Sequence, residues 1–256
     1  MNDMASHTVL ITGAGRRIGR AIALDLAAAG AIVVVHYNRS KEDAAAVVAE
    51  IEARGGKAAT VKADLMDEKA TAGVVARATA AVGPIDCLIN NASVFEEDNP
   101  RTATRRTWDT HMQVNVRAPF LLTQSFASQL PKGREGHVIN VIDQRVWNVT
   151  PYFTSYTVSK VALWGLTQNL ALALAPTIRV NAIGPGPTLP SAHQSEAQFR
   201  RQWSGLPLRR KVDPAEICSA VRFLLDAPSV TGQMIVLDGG QHLGWAPGST
   251  TKRTAE

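Results

Sequence analysis

The chain has 256 residues, of which 45% are hydrophobic, and 27 Lys and Arg against 22 Asp and Glu leave a net charge of +5. A chain of this length is read as one α/β domain that buries about 70 to 75% of its unfolded surface, so its core requires no disulfide or metal staple. The arginine pairs at 16/17, 105/106, 200/201 and 209/210 are dispersed and lack interleaved aromatics, which argues against nucleic acid. The longest apolar stretch, residues 161–175, is broken by Gln168 and Asn169 and falls short of the roughly 20 residues of a membrane span. Cys87 and Cys218 lie far apart in apolar surroundings and read as buried thiols in a reducing compartment, neither nucleophiles nor metal ligands. Residues 1–7 carry no basic start and no apolar run, so no signal peptide is expected and the protein is expected to be soluble and cytoplasmic.

The first element is a strand from residue 8 that ends in Thr12-Gly-Ala-Gly-Arg-Arg-Ile-Gly19 and opens a helix with the apolar positions Ile22, Leu24 and Leu26. Glycines between a buried strand and a helix let backbone amides approach a pyrophosphate, and the helix N-terminus adds about half a positive charge. An ordinary strand-to-helix turn has the same outline. A second buried strand, residues 31–36, is followed by Tyr37-Asn-Arg-Ser40, with no acid before Glu42. NAD-specific sites place an acid there for the ribose hydroxyls. Arg39 and Ser40, with Arg16 opposite, suit a 2′-phosphate instead; a solvated loop arginine is the alternative.

The pattern then repeats. A helix over 42–54 stops at Gly55-Gly56, a strand over 58–63 ends in Asp64-Leu65, a helix over 68–82 closes at Gly83-Pro84, and a strand over 85–89 leads to Asn90-Asn-Ala-Ser-Val-Phe95. Strand and helix alternate throughout, which predicts a parallel sheet of about seven strands covered on both faces, with ligands at the carboxyl ends of the strands. Residues 105–130 read as one long helix interrupted at Pro119, with polar Asn115 in its apolar run; Asn115 also reads as a satisfied core amide. The strand 136–142 ends at Asp143, and the helix that follows carries Tyr156 and Lys160, which share one helical face about 6 Å apart in rise. A tyrosine titrating near 10 needs a shift of roughly 3 units, about 4 kcal/mol, to relay protons near neutrality. An ammonium about 4 Å away supplies that only at an effective dielectric near 20, in a closed and filled site. Such spacing also occurs by chance.

A strand over 178–183 ends in Gly184-Pro-Gly-Pro-Thr188, and residues 188–207 read as a long functional loop, a substrate lid around Trp203. A helix opened by Asp213-Pro-Ala-Glu216, a strand over 234–237 and the turn Asp238-Gly-Gly240 complete the unit. Residues 1–7 and 246–256 are expected to be flexible ends. No repeat or linker divides residues 1–256, so one dinucleotide-binding domain is expected.

Taken together and in this order, Thr12-Gly13 with Gly19, Asn91-Ala92, Asn115, Tyr156 with Lys160, Pro185-Gly186 and Asp238-Gly239-Gly240 resemble the short-chain dehydrogenase/reductase family over about residues 8–243. The resemblance implies a single Rossmann-type, doubly wound sheet, a nicotinamide cofactor, and a homotetramer packed through the helices that carry Asn115 and Tyr156. Tyr156 would be the catalytic acid. Lys160 would bind the nicotinamide ribose and polarise the tyrosine, and Asn115 would anchor a water-linked proton relay. The cofactor would lie along Gly13, Arg16, Arg17, Ile18 and Gly19, then His36, Asn38, Arg39 and Ser40, then Asp64 and Leu65. Asn91, Ala92, Ser93, Tyr156, Lys160, Pro185, Gly186 and Thr188 would complete its site.

Three departures from the common pattern resemble the pteridine reductase branch: Arg17 at the usual middle glycine, Asp143 at the usual serine, and Ser93 at the usual glycine after Asn-Asn-Ala. In that branch Arg17 and Ser93 would touch both pterin and cofactor, Phe95 would stack on the pterin, and Asp143 would help Tyr156 deliver a proton. The expected activity is NADPH-dependent reduction of a dihydropterin, with no metal. The alternatives are a carbonyl reductase of the 3-oxoacyl or sugar type, which normally keeps serine at 143, and a dinucleotide-sensing protein without catalysis.

Overall fold

The computed structural model describes residues 4–191 and 194–244. Seven strands form one parallel sheet: β1 (Thr8–Ile11), β2 (Ile32–Tyr37), β3 (Ala58–Lys62), β4 (Cys87–Asn90), β5 (Gly136–Val141), β6 (Ile178–Pro185) and β7 (Met234–Leu237), in the order β3-β2-β1-β4-β5-β6-β7. Strand side chains alternate between faces, so neighbouring residues feed different cores. Val9, Ile11, Val33, Val35, Ile89 and Ile183 pack under α1 (Arg17–Ala28), α2 (Lys41–Ala53) and α9 (Pro214–Asp226). Leu10, Val34, Leu88, Val138 and Val180 face the other way, against α4 (Val74–Val82), α6 (Ala118–Gln129) and α7 (Thr154–Leu174). Burial on both faces explains the near-continuous apolar runs of the central strands. This is the expected doubly wound Rossmann-type sheet. Among the described residues, no helix is long and apolar enough to cross a membrane, and both cysteines are free and buried.

Four expectations about the elements need correction. The helix expected over 68–82 is two, α3 (Glu68–Ala72) and α4, divided at Gly73. The helix expected over 105–130 is α5 (Arg105–Met112), a π-helical turn at Gln113–Arg117, and α6; the break surrounds Asn115 rather than Pro119. Proline cannot donate to the preceding turn and crowds its carbonyl, and the wider turn just ahead of Pro119 accommodates it. The stretch 188–207 is not a plain loop, because it contains α8 (Glu196–Ser204), started by a capping box between Ser195 and Gln198. Finally, Met4–Ser6 forms a short 3-10 turn and Met4 is buried in the core beneath β1, so this part of 1–7 is anchored by apolar burial. Residues 1–3 and the tail 246–256 lie outside the described residues.

Candidate active site

The chain crosses from one side of the sheet to the other between β1 and β4, and the cleft opens at the carboxyl ends of these strands, as expected at a topological switch point. Its volume is about 930 Å³. Every residue assigned from sequence to cofactor or substrate lines it, and so do Asp143, Tyr156 and Lys160; Asn115 does not.

The floor is made of backbone. Gly13 stands at φ +63, and a Cβ at Gly19 would come within 2.5 Å of Asn91 Nδ2 and 2.6 Å of the Gly13 oxygen. Only glycine fits there. Asn91 and Thr12 stitch β1 to β4: Asn91 Nδ2 donates to the Thr12 oxygen (2.8 Å), and Thr12 Oγ1 accepts from the amides of Asn91 and Ala92 (2.9 Å each). Arg16, the residue ahead of α1, makes no side-chain cap, so the helix turns uncapped N–H groups toward the cleft. These amides, the small floor and the positive helix end fit a dinucleotide pyrophosphate.

His36 closes the outer side of this turn. Its Nδ1 accepts from the Gly13 amide (3.1 Å) and its Nε2 donates to the Ala63 oxygen (3.2 Å), and burial pushes its pKa down to about 4. The ring is therefore neutral near pH 7 and acts as a spacer holding the glycine turn. Arg16 pairs with Asp43 (2.5 Å), whereas exposed Arg39 makes no ion pair among the described residues and remains open to an incoming anion. Arg17 adopts φ 55 and donates to the carbonyls of Pro190 (2.7 Å) and Leu189 (3.2 Å), tying the first turn to the segment after β6.

At the far end, β5 delivers Asp143 and α7 delivers Tyr156 and Lys160. Tyr156 Oη donates to Asp143 Oδ2 (2.9 Å), and Asp143 Oδ1 accepts from the Arg145 amide (2.9 Å). Lys160 is 2% exposed, and its Nζ donates to the Val141 oxygen (3.0 Å) while standing 5.6 Å from the centre of the Tyr156 ring. Burial lowers the lysine to about 8, against the raising influence of Asp143. The lowering of Tyr156 is expected only of a closed, filled site. Burial first, and then the Asp143 charge and hydrogen bond, hold its phenol well above its usual 10, so it is a protonated donor at neutral pH.

Phe95 is 41% exposed at the mouth, stacked on Phe153 (4.4 Å, 14°) and set edge-on to Tyr156 (4.7 Å, 81°). Asn115 is fully buried, with its Oδ1 accepting from the Val94 amide and Ser93 Oγ and its Nδ2 donating to the Val94 oxygen and Ser159 Oγ. It clamps the loop after β4 to α7, and the π-helical turn swings it into that position. Asp238 accepts from the Gly240 amide, and its Cα lies 2.6 Å from where a Gly186 Cβ would be, so the Asp-Gly-Gly turn backs the loop after β6. Sequence reasoning missed Gln144, Arg145, Phe199 and Gln202, which also line the cleft. They sit in a short 3-10 turn and in α8, where no motif or spacing marks them.

The short chain dehydrogenase family profile matches residues 7–201. The chain belongs to that family. It is similar to the crystal structure of FolM alternative dihydrofolate reductase 1 from Brucella canis complexed with NADP, at 46% identity and TM-score 0.94 over 97% of this chain and 99% of that one. The same-named protein of Brucella suis, also in complex with NADP, is 48% identical, with TM-score 0.93 over 96% and 98%. Among characterised sequences, a 3-oxoacyl-[acyl-carrier-protein] reductase of Synechocystis sp. is 32% identical over 94% of this chain and 98% of its own.

Proposed function

We propose that this chain is an NADPH-dependent reductase of a dihydropterin. The observation that carries this reading is the hydrogen bond from Tyr156 Oη to Asp143 Oδ2, 2.9 Å long, beside the exposed ring of Phe95. Reducing a ring C=N bond needs a hydride at carbon and a proton at nitrogen, and the nicotinamide supplies the hydride when bound. Tyr156 holds the proton, and Asp143 accepts the phenol hydrogen bond, so that a proton taken up from solvent by its carboxylate can pass to the phenolate that donation leaves behind. Lys160 places a buried cation beside the tyrosine, where it would hold the cofactor's ribose when the cofactor is bound. Phe95 offers a flat face for a flat heterocycle, worth about 0.5 to 1.5 kcal/mol beyond the area it covers, and Ser93 and Arg17 line the same cleft. The likeness to the two FolM structures at 46 and 48% identity supports the same reading.

The 32% identity to 3-oxoacyl reductases favours a second reading, a carbonyl reductase working on the same tyrosine. Turnover of NADPH against a panel of dihydropterins and 3-oxo esters separates the two. Reduction of the oxo ester alone would refute the pterin assignment, and turnover of neither would favour a binding protein.

For the cofactor, Arg39 and Ser40 stand where an acid would bind ribose hydroxyls, and a charge-assisted contact to a 2′-phosphate contributes about 1.5 to 3 kcal/mol. NADPH is expected to bind at least tenfold more tightly than NADH. Arg39→Ala is expected to remove most of that difference in a fluorescence titration while leaving NADH unaffected; equal affinities in the wild type would defeat the assignment. The reading extends to a reducing cytoplasm, supported by the two free buried thiols. It also extends to a homotetramer, supported by exposed Val158 and Val161 on α7 and by the apolar groove of Met66, Met112, Val116, Phe120 and Leu166. A monomer by light scattering would exclude the tetramer.

A further inference from the structure

Behind the cleft lies a buried polar group that the proposed chemistry does not use. Asp98, Ser155 and His111 come from the loop after β4, the start of α7, and α5, and they are 2%, 0% and 0% exposed. Asp98 Oδ1 accepts from the Ser155 amide (3.0 Å) and Asp98 Oδ2 accepts from Ser155 Oγ. Ser155 Oγ lies 2.7 Å from His111 Nδ1, and His111 Nε2 accepts from the amide of Glu96 (3.1 Å).

The proton positions follow from these partners. A backbone N–H can only donate, so His111 Nε2 carries no proton and the ring proton sits on Nδ1. That N–H donates to Ser155 Oγ, which leaves the hydroxyl proton free to reach the Asp98 carboxylate. Every donor meets an acceptor in one direction only, from the Glu96 amide through His111 and Ser155 to Asp98. The hydrogen-bond chain leaves the loop after β4 at Glu96, passes through the start of α7 and returns to the same loop at Asp98, so it ties two walls of the substrate cleft together. Glu96 follows Phe95, Ser155 precedes Tyr156, and the His111 ring stands edge-on to the Tyr156 ring at 6.0 Å.

We infer that Asp98, Ser155 and His111 are positioning residues that register Tyr156 against the Phe95 loop, with Asp98 fixing the direction of the whole hydrogen-bond chain. This inference rests on the reading of Tyr156 as the proton donor. The decisive substitution is Asp98→Asn, which preserves shape but exchanges an acceptor for a donor. With the carboxamide nitrogen toward Ser155 Oγ, the hydroxyl proton either has no acceptor left or turns to His111 Nδ1, which drives the ring proton to Nε2 against the Glu96 N–H. With the amide flipped, its nitrogen faces the Ser155 N–H. Each arrangement leaves a buried donor without an acceptor, which one wall of the cleft must shift to relieve. A misplacement of about 1 Å costs on the order of 10²-fold in rate.

The experiment uses the full chain with its NADPH, labelled with 15N-histidine and assigned by comparison with His111→Phe. The wild type is expected to show the Nδ1–H tautomer at His111; Asp98→Asn loses it in the arrangement that turns the Ser155 hydroxyl to the ring and keeps it when the amide is flipped, and a fall in kcat is expected in both. The variant is expected to keep its NADPH affinity within about threefold while kcat falls by about ten- to a hundredfold, on whichever substrate the wild type reduces. Ser155→Ala breaks the same chain without adding a buried amide and covers the case in which Asp98→Asn does not fold; a fall in kcat of fivefold or more is expected. An Nε2–H tautomer in the wild type, or a folded variant with kcat within twofold of wild type, overturns the inference. A wild type active only on oxo esters refutes the pterin reading instead, and leaves the tautomer and the rate ratios intact.

Discussion

Tyr156→Phe is expected to lower turnover by about 10² to 10⁴-fold while NADPH binding stays nearly unchanged. The substitution removes only the hydroxyl that donates to Asp143 Oδ2 and keeps the ring that packs edge-on against Phe95 and His111. The geometry of the cleft therefore survives and the loss is chemical. Lys160→Ala is expected to damage both binding and turnover, because it empties a fully enclosed position between the Tyr156 ring and the Val141 carbonyl. Steady-state rates with a parallel cofactor titration check both. A phenylalanine variant that kept more than a tenth of wild-type activity would send the search for the acid elsewhere.

Asp143→Ser and Phe95→Ala are expected to separate pterin from ketone chemistry. Phe95→Ala removes the stacking face, so the KM for a dihydropterin is expected to rise tenfold or more. A small aliphatic oxo ester has no face to stack and is expected to respond little. Asp143→Ser is expected to depress pterin reduction and to spare or raise reduction of the ester, since a serine hydroxyl suffices to orient a carbonyl. It also carries a pH signature. Lys160 loses its charge as pH rises through its value of about 8, and the Asp143 carboxylate holds that value up. The same carboxylate raises Tyr156. Removing it shifts both groups downward, so the alkaline limb of kcat/KM is expected to move to lower pH. If Asp143 serves only to cap the turn at the Arg145 amide, both substrates would lose activity in step with thermal stability and the limb would not move.

The parts of this molecule legible in the sequence are those with a periodic or local cause. β-Branched runs marked the buried strands, and the capping chemistry around Asp213 marked the start of α9. Glycines marked the phosphate turn because a Cβ cannot fit there. The rest depended on contacts distant in sequence. Asn115 interrupts a helix whose apolar spacing continues on both sides, and its reason is the Val94 backbone, distant in sequence, that it clamps. For Tyr156, helical spacing gives the distance to Lys160 but not the depth of burial or the carboxylate that follows β5. Helix α8 was obscured by a sequence of mixed polarity, in which Phe199 alone is buried.

The seam between β1 and β4 has a consequence for how the molecule assembles. Two strands that are neighbours in the sheet but separated by more than 70 residues of chain meet there, and Asn91 binds the carbonyls of Thr12 and Gly13 across the join. The cleft therefore has no existence in either half alone. An intermediate that has folded residues 8–62 but not yet docked β4 holds the glycine turn without its opposite wall, and parallel pairings of this kind close late because the intervening loop must be ordered first. A ligand that spans the seam selects the completed sheet over every such intermediate, contributing about 2.7 kcal/mol at a hundred times its Kd. Cellular supply of the dinucleotide would then set how much of the newly made chain persists in its finished form, as well as how fast it turns over substrate.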